Sequence, residues 1–433
     1  MDAKPAPNPT QQFDSEFPII IRGGAEIDAG RDDTRADLSA LLALGLRLEN
    51  VGIFLGAGAS CGAGGKTMRQ LWSELESSCP ATIEWLAKED LIDVLDNTTP
   101  NIEVIASKVD LTVDAYRQAW GETDDDYLAA LTHRTEIQRL VTRAALLDDR
   151  FWTTRPDIND SAFKKLRHHS LLLSRLLGSR QPGQNSPWIF TTNYDLAIEW
   201  AAELLGIHVV SGFSGMHYRH FEPTCFDLGL MNLQGRGEAR FGAYNLFLAK
   251  LHGSLSWLQR GDDLIERPAR EAWSEINDFA NGSSESCPAT IILPNTAKYV
   301  DTTGFVYGEM LRRFSEFLSR RSTLLIVSGY GFGDEHINRL LLSGLRNPTL
   351  QLIVYLPELV DPSQMPNRVV SQLNELKTKQ VILVGGAENA WFSKLANDLP
   401  DPGYLDATAE EARKLAQAIA SLTKTPQTDD APK

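Results

Sequence analysis

An asparagine, a histidine and two glycine-rich turns, each at the end of an apolar run, are the residues of this chain best suited to do chemistry. Asn193 and Asp195 stand in TTNYD after WIF, and His252 stands in KLHGS after NLFLA. Gly56 to Ser60 spell GAGAS after VGIFL, and Ser328 to His336 spell SGYGFGDEH after STLLIV. A carboxamide donates and accepts at once, which suits holding a water or a sugar hydroxyl in a fixed orientation. A neutral imidazole titrates near working pH and can take a proton from a hydroxyl. Gly56 and Gly58 allow a tight turn and close approach of backbone to a diphosphate, and Ser328 and Gly329 are placed to meet ribose or phosphate. Strand ends of an open parallel sheet line one crevice, so loops far apart in sequence can converge on one ligand. A nucleotide site is the first expectation.

Each of these residues also has a structural use. Cys61 stands where the third glycine of GxGxxG belongs, so GAGAS alone also describes a plain strand exit. Asp195 can cap the helical pattern LAIEWAAELL, and Asp334 can cap a helix beginning near Glu335. His336 and Asn338 fall inside that helix and are read as structural. Gly64, Gly65, Lys66 and Thr67 imitate the end of a P-loop, but Ser60 replaces its first glycine and the next apolar strand ends in TTN, without a metal-holding acid. An ATPase or kinase is set aside. His217, His220 and Cys225 have loosely metal-like spacing in a loop-rich stretch and are read as surface residues; no metal is assigned.

The elements that must position these residues form an α/β pattern. Strands are expected at Val51 to Leu55, Trp188 to Thr191, Tyr244 to Leu251, Thr290 to Leu293, Thr323 to Ser328, Leu350 to Leu356 and Gln380 to Val384. Helical periodicity separates several of them, at Asp195 to Leu205, Phe305 to Arg320, Glu335 to Leu345, Val369 to Leu376 and Ala390 to Leu399. Alternation of this kind predicts a Rossmann-like parallel sheet with helices on both faces. Residues from about 66 to 180 read as a helical insertion or layer within one domain spanning 16–400. Residues 1–15 are polar and read as disordered, and 401–433 as a helix, Ala407 to Leu422, with a flexible tail.

Composition narrows the class. The 433 residues carry a net charge of −15, which disfavours direct binding to a phosphate backbone. No run is long and apolar enough for a membrane span or a signal core, so a cytoplasmic protein is expected. The four cysteines form no CxxC pair, and neither a disulfide framework nor a structural zinc is expected.

Taken in order, GAGAS, TTNYD, KLHGSLSW and SGYGFGDEHIN resemble the motifs of the sirtuin-like superfamily, in particular its divergent bacterial branch of NAD-consuming antiphage effectors. The resemblance implies that Gly56, Ala57, Gly58 and Ser60 contact the diphosphate and neighbouring ribose of NAD. It implies further that Asn193 and Asp195 face the nicotinamide ribose, that His252 acts on a ribose hydroxyl or water, and that Ser328 and Gly329 lie near the adenosine half. The chain departs from the protein deacylases of the superfamily. It lacks their two cysteine pairs, and CGAGGKTMRQLW replaces the residues that commonly follow their first glycine motif.

With NAD as substrate, the implied activity is hydrolysis to nicotinamide and ADP-ribose, with Asn193 and His252 as the catalytic pair. The leaving group is a cationic pyridinium that departs neutral, so the acid carboxylate an ordinary glycosidase needs is dispensable. The alternatives are a non-catalytic NAD or ADP-ribose sensor, and a protein deacylase or ADP-ribosyl transferase. Resemblance also implies a homo-oligomer, with a HerA-type hexameric ATPase of the same defence system as a candidate partner. An Argonaute-like protein and a nucleotide signal remain open as further partners.

Overall fold

The computed structural model describes residues 17–26, 32–92, 101–181, 183–231, 233–234, 245–260, 263–288, 290–291 and 302–402. The expectations for residues 1–15 and for a helix at Ala407 to Leu422 lie outside the described residues.

A nine-stranded sheet organises the chain. In sequence order its strands are β1 (Ile19–Arg22), β2 (Ala25–Glu26), β3 (Asn50–Leu55), β4 (Trp188–Thr191), β5 (His208–Val210), β6 (Asn245–Lys250), β7 (Thr323–Ser328), β8 (Leu350–Tyr355) and β9 (Val381–Gly385). In space the order is β2-β1-β9-β8-β7-β3-β4-β6-β5. All pairings from β9 to β5 are parallel, and β1 runs antiparallel to both β9 and β2. The chain leaves β3 to one side through β4 and later returns to its other side at β7, which makes the carboxyl end of β3 a topological switch point.

The register matters as much as the order. Leu55 is paired with both Thr191 and Ser328, and Thr191 with Lys250. The four motif loops therefore leave the sheet at one level, side by side. The strands are short apolar runs because both faces are covered. Val51, Ile53 and Leu55 of β3 face one layer and Phe54 the other.

The helices are α1 (Asp32–Gly45), α2 (Met68–Ser78), α3 (Pro80–Lys88), α4 (Ile102–Trp120), α5 (Asp125–Ala145), α6 (Asp149–Thr153), α7 (Arg167–Gly178), α8 (Ala197–Leu205), α9 (Ala269–Ala280), α10 (Thr302–Ser319), α11 (Glu335–Gly344), α12 (Arg368–Glu375) and α13 (Phe392–Asp398). Buried residues of α10, α11 and α12 pack on one face of the sheet, and those of α1, α7, α8 and α13 on the other. The helical insertion has a core of its own, in which Leu71, Leu75, Trp85, Ile105, Val109 and Leu140 meet. That core is built by α2 to α5. The last helix assigned to the insertion from sequence, α7, belongs instead to the sheet, with Leu172, Leu173 and Leu176 packed in the same cluster as Ile53 and Ile189.

Three further differences from the sequence reading have simple causes. The expected strand at Thr290 to Leu293 is not in the central sheet: Thr290–Ile291 pairs antiparallel with Gly253–Ser254, and residues 292 and 293 lie outside the described residues. Strand β1 and the three-residue β5 went unnoticed because runs this short carry no readable period. The parallel sheet consequently has an antiparallel edge that alternation alone did not foretell.

Candidate functional site

The asparagine loop is pinned to the end of β3. Thr191 Oγ1 and the Thr192 amide both donate to the Leu55 carbonyl, at 2.9 and 3.2 Å, and the Asn193 amide donates to Thr191 Oγ1 at 3.0 Å. The Asn193 side chain then turns toward the first glycine loop. Its Nδ2 donates to the Gly56 carbonyl at 3.0 Å and to Ser60 Oγ at 2.9 Å. Ser60 Oγ donates in turn to Asp195 Oδ2 at 2.6 Å. Asp195 Oδ1 accepts from the Ala197 amide at 3.0 Å, so the carboxylate holds the first amide of α8 while it faces Ser60. With both donors of Nδ2 committed, the carboxamide oxygen is the part of Asn193 left to accept from a ligand.

From below, Lys250 fixes the same loop. Its ammonium donates to the Asp195 carbonyl, lies 3.5 Å from the Asn193 carbonyl and pairs with Glu199 at 3.1 Å. Burial pushes the Glu199 carboxyl upward, opposed by the Lys250 charge.

The two glycine loops touch backbone to backbone. The Gly56 amide donates to the Ser328 carbonyl at 3.1 Å and the Gly58 amide to the Gly329 carbonyl at 2.9 Å. Gly329 has φ of +68°, and a Cβ there would stand 2.3 Å from the Ala59 nitrogen. Gly56 and Gly58 are expected to let backbone approach a diphosphate; their own amides hold the partner loop, because only glycines let two strand exits approach so closely. Thr67 and Lys66, which imitated a P-loop, have other uses. Thr67 caps α2 in a reciprocal box with Gln70, and Lys66 pairs with Glu74.

His252, expected to act on a ribose hydroxyl or water, is buried. It is 4% exposed, and a carboxylate faces each ring nitrogen. Nε2 lies 2.9 Å from Asp334 Oδ2, and Nδ1 lies 3.6 Å from Glu103 Oε1, an ion-pair rather than a hydrogen-bond distance. Burial alone would lower the imidazole, but the hydrogen bond to Asp334 and the charge of Glu103 overcome it and hold the ring at about 9. Asp334 remains below the usual carboxylate range despite its burial, because the His252 hydrogen bond and two amides stabilise its charge. Those amides are His336 and Ile337, at 2.7 and 3.1 Å, so Asp334 caps α11 as well. Asn338 is structural: it donates to the Phe332 carbonyl and accepts from the Tyr330 hydroxyl.

Glu103, unread in the sequence, comes from the first turn of α4, whose cap Asn101 accepts from the Glu103 amide at 2.9 Å. Asn101 itself sits on Gly333, where a Cβ would meet its Nδ2 at 2.2 Å. The N-terminus of α4 thus lies on the late glycine loop. In sequence it reads only as an acidic residue behind an asparagine cap, and its partner is 149 positions away.

A cavity of about 60 Å³ opens at this junction, lined on the sheet side by Ala57, Ser60, Asn193 and Asp195 and on the insertion side by Met68, Leu71, Ile102, Glu103 and Ala144. Of the residues expected at the site, Ala57, Ser60, Asn193 and Asp195 thus meet at one wall. His252, Ser328, Gly329, Gly56 and Gly58 are not among the lining residues. Ser328 is fully buried and its hydroxyl finds no partner. Hydroxyl-binding groups opposite an apolar wall suit a ribose beside a flat ring. The volume is smaller than the roughly 150 Å³ that holds a benzene, so a dinucleotide requires the two walls to part.

Residues 187–374 match the family model of the SIR2-like domain. The SIR2-like segment contains Asn193, Asp195, His252, Ser328, Gly329 and Asp334, whereas GAGAS and Glu103 precede it. Among solved structures, a Sir2 homologue in complex with NAD is similar at 13% identity, with 85% of this chain and 94% of that chain covered and a TM-score of 0.38. A Sir2 homologue variant bound to 2′-O-acetyl ADP-ribose is similar at 13% identity over 78% of this chain and 94% of that one, with a TM-score of 0.34. No curated protein matches. Among the described residues, no three His, Cys, Asp or Glu side chains form a metal-binding group, and no helix is long and apolar enough to cross a membrane.

Proposed function

We propose that this chain hydrolyses NAD at the bond between nicotinamide and ribose, releasing nicotinamide and ADP-ribose. The observation that carries the proposal is the convergence of Asn193, Ser60 and Asp195 on one cavity at the switch point of a parallel sheet. The carboxamide oxygen of Asn193, fixed by two hydrogen bonds through its nitrogen, is set to orient a ribose hydroxyl or a water. When the N-glycosidic bond breaks, its electron pair neutralises the pyridinium, so no acid is needed on the leaving group. The match of residues 187–374 to the SIR2-like domain supports NAD over other nucleotides.

The proposal extends to the cell through the resemblance of the four motifs. We take the chain to be a cytoplasmic effector that depletes NAD in antiphage defence. It works as a homo-oligomer whose activity is gated by assembly, with a HerA-type hexameric ATPase as the candidate partner.

The test is nicotinamide release by the full chain, alone and with the candidate partner. Asn193→Ala should lower the rate on the order of a hundredfold, given what one positioned group contributes. Equal rates for the variant and the parent would remove Asn193 from the reaction. NAD that binds but stays intact in every assembly state would make the chain a sensor, and release that depends on an acylated peptide would make it a transferase.

A further inference from the structure

Behind the wall formed by Ser60, Asn193 and Asp195 lies a second cavity, of about 10 Å³. The three residues line both spaces and so form the partition between them. On its far side the lining includes His169 from α7, Glu199 from the first turn of α8 and Lys250 from the end of β6. This volume is close to the roughly 10 to 15 Å³ that one water needs, and a polar lining is the other condition for holding it.

Two of these side chains have a buried atom in need of a partner. His169 is 2% exposed, and its Nδ1 has no hydrogen bond among the described residues. Glu199 Oε2 is likewise buried without one, while Oε1 pairs with Lys250 at 3.1 Å. The His169 ring also packs on Phe392, with centroids 4.7 Å apart. Burial pushes its imidazole down to about 4, against the charge of Asp195, so the ring is neutral, with one nitrogen to donate and one to accept. Buried polar atoms left unpaired are costly, and one shared water satisfies both. Lys250 carries the link onward, since its ammonium donates to the Asp195 carbonyl and lies 3.5 Å from the Asn193 carbonyl.

We propose that this second cavity is a water site in which one molecule joins His169 Nδ1 to Glu199 Oε2, and that His169 is a positioning residue for the wall that meets the ribose. The inference rests on the reading of that wall as the ribose contact. The water donates one hydrogen to Glu199, and its bond to the ring runs in the direction the tautomer dictates. From the water the contacts pass through Glu199 and Lys250 to the backbone of Asn193 and Asp195. They hold from behind the loop whose side chain Gly56 and Ser60 hold in front. His169 itself does not touch the substrate. It acts by keeping the Asn193 loop in place, where a displacement of about 1 Å can cost on the order of a hundredfold in rate.

The experiment uses the full chain and the variants His169→Leu and His169→Gln. Leucine fills similar space without a polar atom, whereas glutamine returns a donor and an acceptor. A high-resolution crystal structure of the parent should show a water within hydrogen-bond distance of His169 Nδ1 and Glu199 Oε2. His169→Leu should weaken ADP-ribose binding, measured by calorimetry, about tenfold and slow nicotinamide release by a similar factor, with His169→Gln within about threefold of the parent. A residue that only fills space would give the reverse order, because leucine is the better companion for Phe392. That reversed order, parental behaviour in His169→Leu, or a parent structure without the bridging water overturns the proposal. The parent structure and His169→Gln decide it even where His169→Leu does not fold. A parent that binds ADP-ribose but releases no nicotinamide in any assembly state removes the hydrolase reading alone, whereas one that binds no ADP-ribose removes the ribose wall and the positioning role with it.

Discussion

At Gly329 one added carbon would decide whether the site exists. The residue holds φ of +68°, and a Cβ would come within 2.3 Å of the Ala59 nitrogen and 2.8 Å of the Gly58 carbonyl carbon. Neither neighbour is a flexible side chain, so the two loops must separate. Gly329→Ala should cost about 2 kcal/mol or more, from backbone strain and the lost contact together. Gly331→Ala, two residues on with nothing within 4 Å of its Cβ, should be close to neutral. Melting temperatures of the two variants check this; similar shifts would mean that the close approach of the loops does not matter. The same scale shows what the sequence could reveal. Asn193 and Asp195 were legible because a polar residue directly after an apolar strand is placed by the strand itself. Glu103 and the second role of Asp334 were not, because a carboxylate near a helix start looks like a cap whatever it faces across the fold.

At the scale of elements, the buried Lys250 ties the end of β6 to the loop after β4 and to the first turn of α8 through Glu199. Its side chain is almost wholly buried, so its charge is tolerated only because a carboxylate and two carbonyls surround it. Lys250→Met should leave Glu199, whose side chain is 23% exposed, without its cation and destabilise the chain by up to about 3 kcal/mol, the low end for breaking one half of a buried pair. Adding Glu199→Gln should restore much of that loss. A double-mutant cycle by chemical denaturation measures it, and additive effects would show that the two side chains are not coupled. Long apolar strands such as β3 and β7 were readable because both of their faces are covered. The edge strands β1 and β5 were not, since four and three residues give too little pattern. Helix α7 was misplaced for a related reason: its apolar stripe looks the same whether it meets other helices or the sheet.

At the scale of the whole molecule, the cavity lies between the sheet and the insertion, and each contributes one wall. A space of about 60 Å³ is smaller than a nicotinamide riboside needs, so binding one requires the walls to move apart. At the start of α4, two contacts among the described residues close it: Asn101 on Gly333, and Glu103 against His252. Behind the start of α4 the insertion packs around its own apolar cluster, while α5 joins the sheet side through a shared one in which Val141 and Ala145 meet Tyr194, Ala197 and Trp200. Parting the walls at the start of α4 therefore breaks one ion pair and one loop contact, with the α5 side held by its shared apolar cluster. Binding of NAD or ADP-ribose should move the start of α4 away from the late glycine loop, with faster amide exchange over residues 102 to 109 and unchanged exchange in β3 and β7. Hydrogen exchange with and without saturating ADP-ribose measures this. Ligand bound with no change at the start of α4 would mean that the dinucleotide enters elsewhere, and the wall formed by Met68, Leu71 and Ile102 would then be ordinary packing.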